Sequence, residues 1–393
     1  MVNAFASGNN AFFLCGKGTN GYLSAMNLEN LDAPENGAAE SSRPEGKAIT
    51  MAMIAKAAGV SQGAISSLLN DRDYGIRVSA KTRERVFRVC RDLGYIPNDL
   101  RAVVRMYPEK GDCALLVSKE IGLDDPFASQ LAKVLLRQLP AHHLSLAWYD
   151  PETDYTADPA HLPSPVSTGV ASKFLTLGTP NASLFSAILA HEYPVVHLGQ
   201  DAGTAGVTSI IPEYAQAARQ SIEALLALGH KQIAILSGPF GSTDPIIIEL
   251  NYGVRAAYDA IKTPIEAQNV IYGDATFEHG TASIDLLLDR AQTPSAVFCF
   301  DPLVAAGVLH QAQARGLKVP DQLSVIAFGN ADLSPLLYPP LTTVSTSTEE
   351  MVREAMADLQ ARIKEQDITS TRRITIFGSL VKRRSCATPH LYP

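Results

Sequence analysis

One end of a predicted helix over residues 62–70 carries four small or polar residues: Gln62, Gly63, Ser66 and Ser67. Amide and hydroxyl groups form hydrogen bonds with the edges of nucleic-acid bases, and small side chains let a helix enter a major groove. The opposite side of this helix is predicted to be buried, because it carries apolar residues at i, i+3 and i+4: Ile65, Leu68 and Leu69. The spacing therefore predicts a helix suited to contact base edges.

Two further helices are predicted to hold this one in place. Thr50 can cap a helix over residues 51–58, and Gly59 can end it in a tight turn, after which Ser61 caps the second helix. Ser79 can cap a third helix, whose predicted inner stripe consists of Val86, Val89, Cys90 and Leu93. The pattern is typical of a helix-turn-helix unit.

Charge is distributed unevenly along the chain. Residues 47–110 contain 12 Lys and Arg against 6 Asp and Glu, a local +6, whereas the whole chain has a net charge of −7, so the remainder carries −13. A basic segment on an acidic body indicates a phosphate-binding module. The alternative is an ordinary three-helix subdomain, since helix-turn-helix geometry also occurs outside DNA binding.

Several spaced segments resemble the lactose-repressor/galactose-repressor (LacI/GalR) family. They are residues 49–61, Ile65-Ser66, Leu69-Asn70, 78–86 and 93–98 in the head, and 225–239, 316–320, 339–344 and 379–384 further on. The resemblance covers residues 47 to 385. It implies a transcription regulator, predicted to be a homodimeric repressor that binds a near-palindromic double-stranded DNA operator under the control of a small-molecule effector.

The resemblance also implies which head residues contact DNA. The base-reading positions fall on Gln62, Gly63 and Ser67, so Gln62 can pair with adenine, Gly63 offers no side chain, and Ser67 stands where an Arg that reads guanine is common. Phosphate contacts, which set register without reading sequence, are implied for Thr50, Ser61, Ser66, Asn70, Ser79, Thr82, Tyr95 and Asn98.

A tether over residues 96–110 follows the head. In the family it becomes a hinge helix on DNA and inserts an apolar side chain, usually Leu, into the minor groove. Here Val104 occupies that Leu position and Arg101 occupies a usual Ala position. The alternative is a simple linker.

Beyond residue 111, short β-rich runs alternate with helical stretches, which is typical of parallel sheets wound with helices. Strands are predicted at residues 113–117, 144–148, 194–198, 232–236, 296–300 and 323–327, and helices at 214–228 and 304–315. The predicted fold class is α/β with an all-α helix-turn-helix head, and the resemblance implies that the core is two-lobed and periplasmic-binding-protein-like, with parallel sheets flanked by helices.

The predicted domains are a head over residues 47–95, the hinge over 96–110 and an effector-binding and dimerisation core over 111–388. Lobe 1 is expected at residues 111–210 and 346–370, and lobe 2 at 211–345 and 371–388. The resemblance implies that the chain crosses between the lobes three times, near Ile211, Thr346 and Arg372. Residues 1–46 are predicted to be a disordered tail or the product of a misassigned start.

The cleft between the lobes is the predicted effector site, since such sites lie at carboxyl ends of strands. The candidate residues are Ser118, Glu120, Gly199, Gln200, Leu250, Phe300, Asp301, Gly329 and Asn330. Compared with the family, Gly199 replaces Asp, Leu250 replaces Arg, Phe300-Asp301 replaces Asn-Asp, and 327–330 replaces Gly-Phe-Asp-Asp. Because each lost polar partner costs roughly 1–3 kcal/mol, a plain hexose is not the expected effector. Leu250 and Phe300 can also be explained as core residues.

Other classes of protein are not supported by the sequence. It contains no run of 18 apolar residues, no signal-peptide pattern, and no nucleophile elbow, phosphate loop or His-Glu-x-x-His pair. Its five cysteines are scattered, without the spacing of a zinc site or disulfide framework, which favours a reducing cytoplasm. We therefore expect no enzymatic activity, catalytic residue, metal, cofactor or membrane partner.

Two alternatives to an effector-controlled regulator remain. A cytoplasmic solute-binding protein of the same two-lobed fold would share the core, although the basic head argues against it. A DNA-binding regulator whose core has lost effector control would be recognised by ligands that leave operator affinity unchanged.

Overall fold

The computed structural model describes residues 49–70, 78–93, 95, 112–121, 125–139, 144–290, 293–329 and 332–389. The predicted tail over residues 1–46 and hinge over 96–110 lie outside these ranges, as does the loop over 71–77. The expectations for those segments stay predictions.

The head contains three helices, α1 (Met51–Ala58), α2 (Gln62–Asn70) and α3 (Ala80–Leu93). Each begins at the predicted cap. The N–H of Met53 donates to Thr50 Oγ1 at 3.3 Å, that of Ala64 to Ser61 Oγ at 3.2 Å, and that of Thr82 to Ser79 Oγ at 3.2 Å. Gly59 ends α1 with a φ of 63°, which glycine adopts without steric cost. Local hydrogen bonding thus defines all three helix starts.

The inner faces of the three helices form one small core. Its buried members are Ile54, Ala55, Ala58, Ile65, Leu69, Val86, Phe87 and Cys90. The prediction for Leu93 is wrong: this side chain is 37% exposed, whereas Phe87 is 8% exposed and packs inside. Leu93 is the last residue of α3, so no following turn of this helix covers it.

Lobe 1 is built on a six-stranded parallel sheet with strand order β11-β5-β4-β3-β1-β2. Its strands are β1 (Asp112–Ser118), β2 (Leu144–Tyr149), β3 (Ala171–Leu177), β4 (Val195–Leu198), β5 (Thr208–Pro212) and β11 (Arg372–Ile376). Its helices are α4 (Pro126–Gln138), α5 (Ser164–Thr168), α6 (Ala182–Ala190) and α11 (Thr348–Glu365), with a 3₁₀ turn at Pro159–His161. Helices α4 and α11 cover one face, and α5 and α6 cover the other.

Lobe 2 repeats this architecture with strand order β12-β10-β9-β8-β6-β7, in which β12 runs antiparallel to its neighbour. Its strands are β6 (Ile233–Ser237), β7 (Val270–Tyr272), β8 (Ala296–Cys299), β9 (Ser324–Phe328), β10 (Thr342–Ser345) and β12 (Ser379–Val381). Its helices are α7 (Tyr214–Ala227), α8 (Pro245–Ala260), α9 (Phe277–Leu288) and α10 (Pro302–Ala314), with a 3₁₀ turn at Ala267–Asn269. Helices α7 and α8 pack on one face, and α9 and α10 on the other.

Each sheet changes winding direction between two neighbouring strands, β1 and β3 in lobe 1 and β6 and β8 in lobe 2. At such a switch point neighbouring loops diverge above the carboxyl ends of the strands and leave a crevice. The order of the strands therefore creates a binding position in each lobe.

The chain passes between the lobes after β5, after β10 and between β11 and β12. The first two crossings lie at the predicted places, but the third follows Ile376 and so comes later than the predicted position near Arg372. Strand β11 stays in lobe 1 because it pairs with β5 and because Ile376 packs into the lobe 1 core.

Within the described part of the chain, no helix combines the length and the apolar composition that crossing a membrane requires.

Candidate functional site

The N-terminal end of α2 presents the predicted base-reading residues together. Gln62 is exposed, whereas Gly63 and Ser67 are partly buried, and all three lie within the first two turns of the helix. Ser61 immediately precedes them, and its Oγ accepts the hydrogen bond that caps the helix. An amide on an exposed helix end has the reach that major-groove contact needs.

The candidate phosphate contacts are the caps and their neighbours. Thr50, Ser61 and Ser79 are exposed, and the Ser79 and Thr82 hydroxyls lie 2.9 Å apart. A hydroxyl oxygen that accepts a cap hydrogen bond still has its O–H to donate to a phosphate. Ser66 and Tyr95 are partly buried, and the Tyr95 N–H donates to the Cys90 carbonyl at 2.9 Å.

Four other predicted contacts lie outside the part of the chain that the structure describes: Asn98, Arg101 and Val104 entirely, and Asn70 in its side chain.

Most of the charged side chains exposed on α3 are basic. They are Lys81, Arg85, Arg88 and Arg91, together with the acidic Glu84 and Asp92. Arg83 Nη1 on this helix pairs with Glu192 Oε2 of lobe 1 at 2.6 Å, and both side chains are substantially exposed. Such a surface ion pair contributes little to stability.

A cavity of about 380 Å³ lies between the two lobes, at the carboxyl ends of both sheets. Its walls include Leu177 and Gly178 at the end of β3, Leu198–Gln200 at the end of β4, Leu236–Pro239 at the end of β6, and Phe300–Pro302 after β8. Ser345, Thr346 and Thr348 add the second crossing segment. This volume falls within the range of small-molecule sites.

Six of the nine predicted cleft residues line this cavity: Gly199, Gln200, Leu250, Phe300, Asp301 and Gly329. Leu250 and Phe300 do so while packing into the lobe 2 core, with exposures of 2% and 9%. Core packing and pocket lining are therefore both correct descriptions of these two side chains.

The cavity lining does not include Ser118 or Glu120, contrary to the prediction. Ser118 is fully buried beneath Gly178, where an added Cβ would lie 2.5 Å from Ser118 Cβ. Glu120 accepts a hydrogen bond from the Thr179 hydroxyl at 2.6 Å, and Ile121 takes the lining position instead. Asn330 lies outside the described residues.

The acidic residues of the cavity were mostly not predicted from the sequence. Asp125, Asp244 and Asp301 line it and cap α4, α8 and α10, accepting hydrogen bonds from the N–H groups of Ala128 at 2.8 Å, Ile246 at 2.9 Å and Leu303 at 2.6 Å. A fourth aspartate, Asp274, lines the cavity beside β7. Of the four, the sequence identified Asp301 alone. Each capping Asp precedes a Pro at the first helical position, and this Asp-Pro pair after a strand was a usable signal.

Asp301 has unusual electrostatics. Burial raises the pKa of its carboxyl from 3.8 to about 6; the N–H groups of Leu303 and Val304 oppose this rise, whereas the negative charge of Asp125 on lobe 1 adds to it. The two carboxylates belong to opposite lobes, so their repulsion acts across the cleft.

The raised pKa gives a testable pH dependence. The protonated carboxyl favours the folded state, and this stabilisation is fully present below pH 3.8 and lost as pH rises through about 6. Asp301→Asn keeps a capping oxygen but carries no charge. We expect the free energy of unfolding of this variant, measured with urea, to exceed that of the unsubstituted chain by up to about 3 kcal/mol at about pH 7.5. At about pH 4.5 the difference should be much smaller. Asp321→Asn, at an exposed position, is the control; an equal gain at both pH values would contradict the assignment.

An aromatic pair stands beside the cavity on lobe 2. The rings of Phe240 and Tyr272 meet edge to face, with centroids 5.0 Å apart, and their exposures are 82% and 46%. Phe240 follows the lining residue Pro239, and Tyr272 precedes the lining residue Gly273. The pair therefore forms an aromatic rim next to the cleft residues.

Two sequence-family models match the chain. One, described as bacterial regulatory proteins of the lacI family, covers residues 50–98, and the other, described as a periplasmic binding protein-like domain, covers residues 222–386. The first falls on the three-helix head and the second largely on lobe 2.

Curated and solved relatives align with most of the chain. The HTH-type transcriptional repressor CytR of Escherichia coli (strain K12) is 29% identical over 345 residues, which cover 87% of this chain and 98% of that protein. The HTH-type transcriptional regulator DegA of Bacillus subtilis (strain 168) is 30% identical over 308 residues, covering 77% and 87% of the respective chains. The solved transcriptional regulator CelR–cellobiose complex matches with a TM-score of 0.58 at 27% identity, over 86% of this chain and 99% of that one.

With a helix-turn-helix head, two parallel-sheet lobes and relatives aligned over both, this chain belongs to the LacI family of DNA-binding transcription regulators, which are not enzymes.

Proposed function

We propose that the protein is a homodimeric repressor that works in the cytoplasm and binds a near-palindromic DNA operator through two heads and two hinge segments. The observation that carries this proposal is the capped α2 helix, which presents Gln62, Gly63 and Ser67 on one accessible end. The relatives with the same two-part organisation are regulators, which favours this function over solute binding.

Exposed apolar side chains on lobe 1 support the dimer. β2 is an edge strand, and its Leu146 and Trp148 are 42% and 43% exposed on the same face as Leu144, which packs towards the α4 side. Leu136 on α4 is 62% exposed. An apolar surface of this kind is typical of protein–protein interfaces.

Selection of bound DNA from a random duplex library tests the proposal. The full-length chain should enrich a two-fold symmetric motif, and a shortened chain that lacks residues 47–110 should enrich none. Failure of the full-length chain to enrich any sequence at moderate salt would overturn the proposed operator binding.

Gln62→Ala should weaken binding to the selected operator. An amide that pairs with adenine contributes about 1–3 kcal/mol of discrimination, so the loss should be concentrated at one base pair of each half-site. Titration against operators changed at each position in turn measures this. Lys56→Ala, exposed on the neighbouring α1, provides a comparison: a uniform loss across all operators is the signature of a phosphate contact. If Gln62→Ala also gave a uniform loss, its base-reading role would be wrong.

We further propose that a small molecule other than a plain hexose binds the inter-lobe cavity and changes operator affinity. Leu250 and Phe300 occupy its lobe 2 wall, and neither can pair with a sugar hydroxyl. A buried hydroxyl without a partner costs about 1–3 kcal/mol, so several such losses abolish useful affinity. Calorimetric titration of common hexoses should show no binding in the micromolar range. A single hexose that binds in that range would refute the proposal that the effector is not a plain hexose.

An effector acts only through a difference in its affinity for the DNA-competent and incompetent states. Operator titrations with and without a cavity ligand therefore separate an effector-controlled regulator from one whose core has lost control.

A further inference from the structure

The charges around the inter-lobe cavity are of one sign. Its lining includes Asp125, Asp244, Asp274 and Asp301, and among the described lining residues there is no Lys, Arg or His. A cavity that lacks a cation gives an anionic ligand nothing to pair with and gives a cationic ligand several partners.

Helix N-termini ordinarily bind anions. Helices α7 and α11 begin at the cavity without a carboxylate cap, with Tyr214 and Thr348 in the lining. In α4, α8 and α10, by contrast, the capping carboxylate accepts an N–H group of the first turn at 2.6 to 2.9 Å. The next residue in each case is a proline, which has no N–H to offer. A phosphate or carboxylate would therefore face three negative groups where a typical anion site presents free donors.

Two of these carboxylates line the cavity from opposite lobes. Asp125 begins α4 in lobe 1, and Asp301 begins α10 in lobe 2. The mutual repulsion that helps to raise the pKa of Asp301 disappears when a positive group sits between them. Such a group would also draw the two lobes together.

The rest of the cavity wall is mainly apolar. Ile121 and Phe127 come from lobe 1, and Leu236, Leu250 and Phe328 from lobe 2. The exposed Phe240–Tyr272 pair beside the cavity offers ring faces and edges to an incoming ligand, and aromatic faces attract cations.

We propose that the effector of this protein is an apolar molecule with one cationic ammonium or amidinium group, held between Asp125 and Asp301, and that anionic molecules are rejected. This inference rests on the proposed effector function of the inter-lobe cavity. The cavity defines the site, and its carboxylates define the chemical class of ligand.

The test compares three probes of similar shape and different charge: phenethylamine, phenethyl alcohol and phenylacetate. Calorimetric titration of the full-length chain at about pH 7.5, above the Asp301 pKa of about 6, should show the amine binding about tenfold more tightly than the alcohol, and no binding of the acid up to about 10 mM.

Variants test whether the two carboxylates cause the preference for the amine over the alcohol. Asp301→Asn and Asp125→Asn keep the helix caps and should each reduce the preference for the amine by about tenfold. Asp321→Asn, which removes an exposed charge elsewhere, should leave it unchanged. The inference is overturned if no amine binding is found up to about 10 mM, if the alcohol or the acid binds as tightly as the amine, or if Asp301→Asn retains the full preference.

Operator titration of the same preparations distinguishes the two proposals. Intact operator binding without amine preference refutes only the ligand class. Amine preference without operator binding refutes the repressor and leaves the cavity chemistry standing.

Discussion

Arg362→Met is expected to lower the free energy of unfolding by about 3–5 kcal/mol, because it removes the fully buried partner of the Asp358 carboxylate and leaves only the partly exposed Arg372, at 2.9 Å. Arg362 is fully buried, and its Nε donates to Asp358 Oδ2 at 2.7 Å. Its two Nη atoms donate to the carbonyls of Gly206 and Ser370 and to the Thr208 hydroxyl. One side chain thus ties α11 to β5 and to the segment that leads into β11.

Urea unfolding measures this loss, and the same helix provides its control. Arg353 is 62% exposed in its side chain and pairs with Glu350 and Glu354, so Arg353→Met should change stability by less than about 0.5 kcal/mol. Replacing Asp358 by Leu together with Arg362→Met should restore part of the loss, since the buried carboxylate is then removed and Arg372, which is partly exposed, can be hydrated. A loss below about 1 kcal/mol in Arg362→Met would show that the buried network contributes little.

The largest functional effect is expected from the exposed face of β2. Introducing Leu146→Lys and Trp148→Lys together places two like charges per protomer in the proposed dimer interface. The protein should become monomeric, and operator affinity should fall about 10²- to 10⁴-fold, because the second head no longer binds at high effective concentration.

Sedimentation and operator titration report the two consequences separately. Ile261→Lys is the matched control, since Ile261 is 48% exposed and lies after α8 in lobe 2. A variant that remains dimeric would place the interface elsewhere. A monomer with undiminished operator affinity would show that one head suffices, which contradicts the two-headed proposal.

Local signals in the sequence predicted the head and half of the strands. Thr50, Ser61 and Ser79 each cap a helix because the hydrogen bond involves only residues three positions apart. The six predicted strands are all present, since each is a short apolar run.

One of the strands that were not predicted, β3, contains polar residues, and one of them has its hydrogen-bond partner on a neighbouring strand. β3 contains Lys173 and Thr176, both buried, and the Thr176 hydroxyl lies 2.8 Å from His197 Nδ1 on the neighbouring β4. From one strand alone, these residues look like a break in the apolar run. The partner of Thr176 lies on another strand, so the sequence of β3 cannot reveal that this hydroxyl is satisfied.

The cleft could be predicted in position but only partly in composition. The carboxyl ends of the strands identified Gly199, Phe300 and Asp301, because topology decides which loops surround the crevice. The prediction that Ser118 and Glu120 line the cleft was wrong, because the end of a strand does not determine which way the neighbouring side chains point. The third crossing was misplaced for a similar reason: β11 is assigned to lobe 1 by its pairing with β5, a contact over a long sequence separation.

The two-residue step from β11 to β12 has a consequence for biosynthesis. During translation, the head helices emerge early, whereas an edge strand of each sheet emerges only after α11. Until Ile376 and Val381 have left the ribosome, the sheet of each lobe lacks its last edge strand, and neither lobe can complete its core. A chain interrupted before this point carries the three-helix head on two lobes that each lack an edge strand.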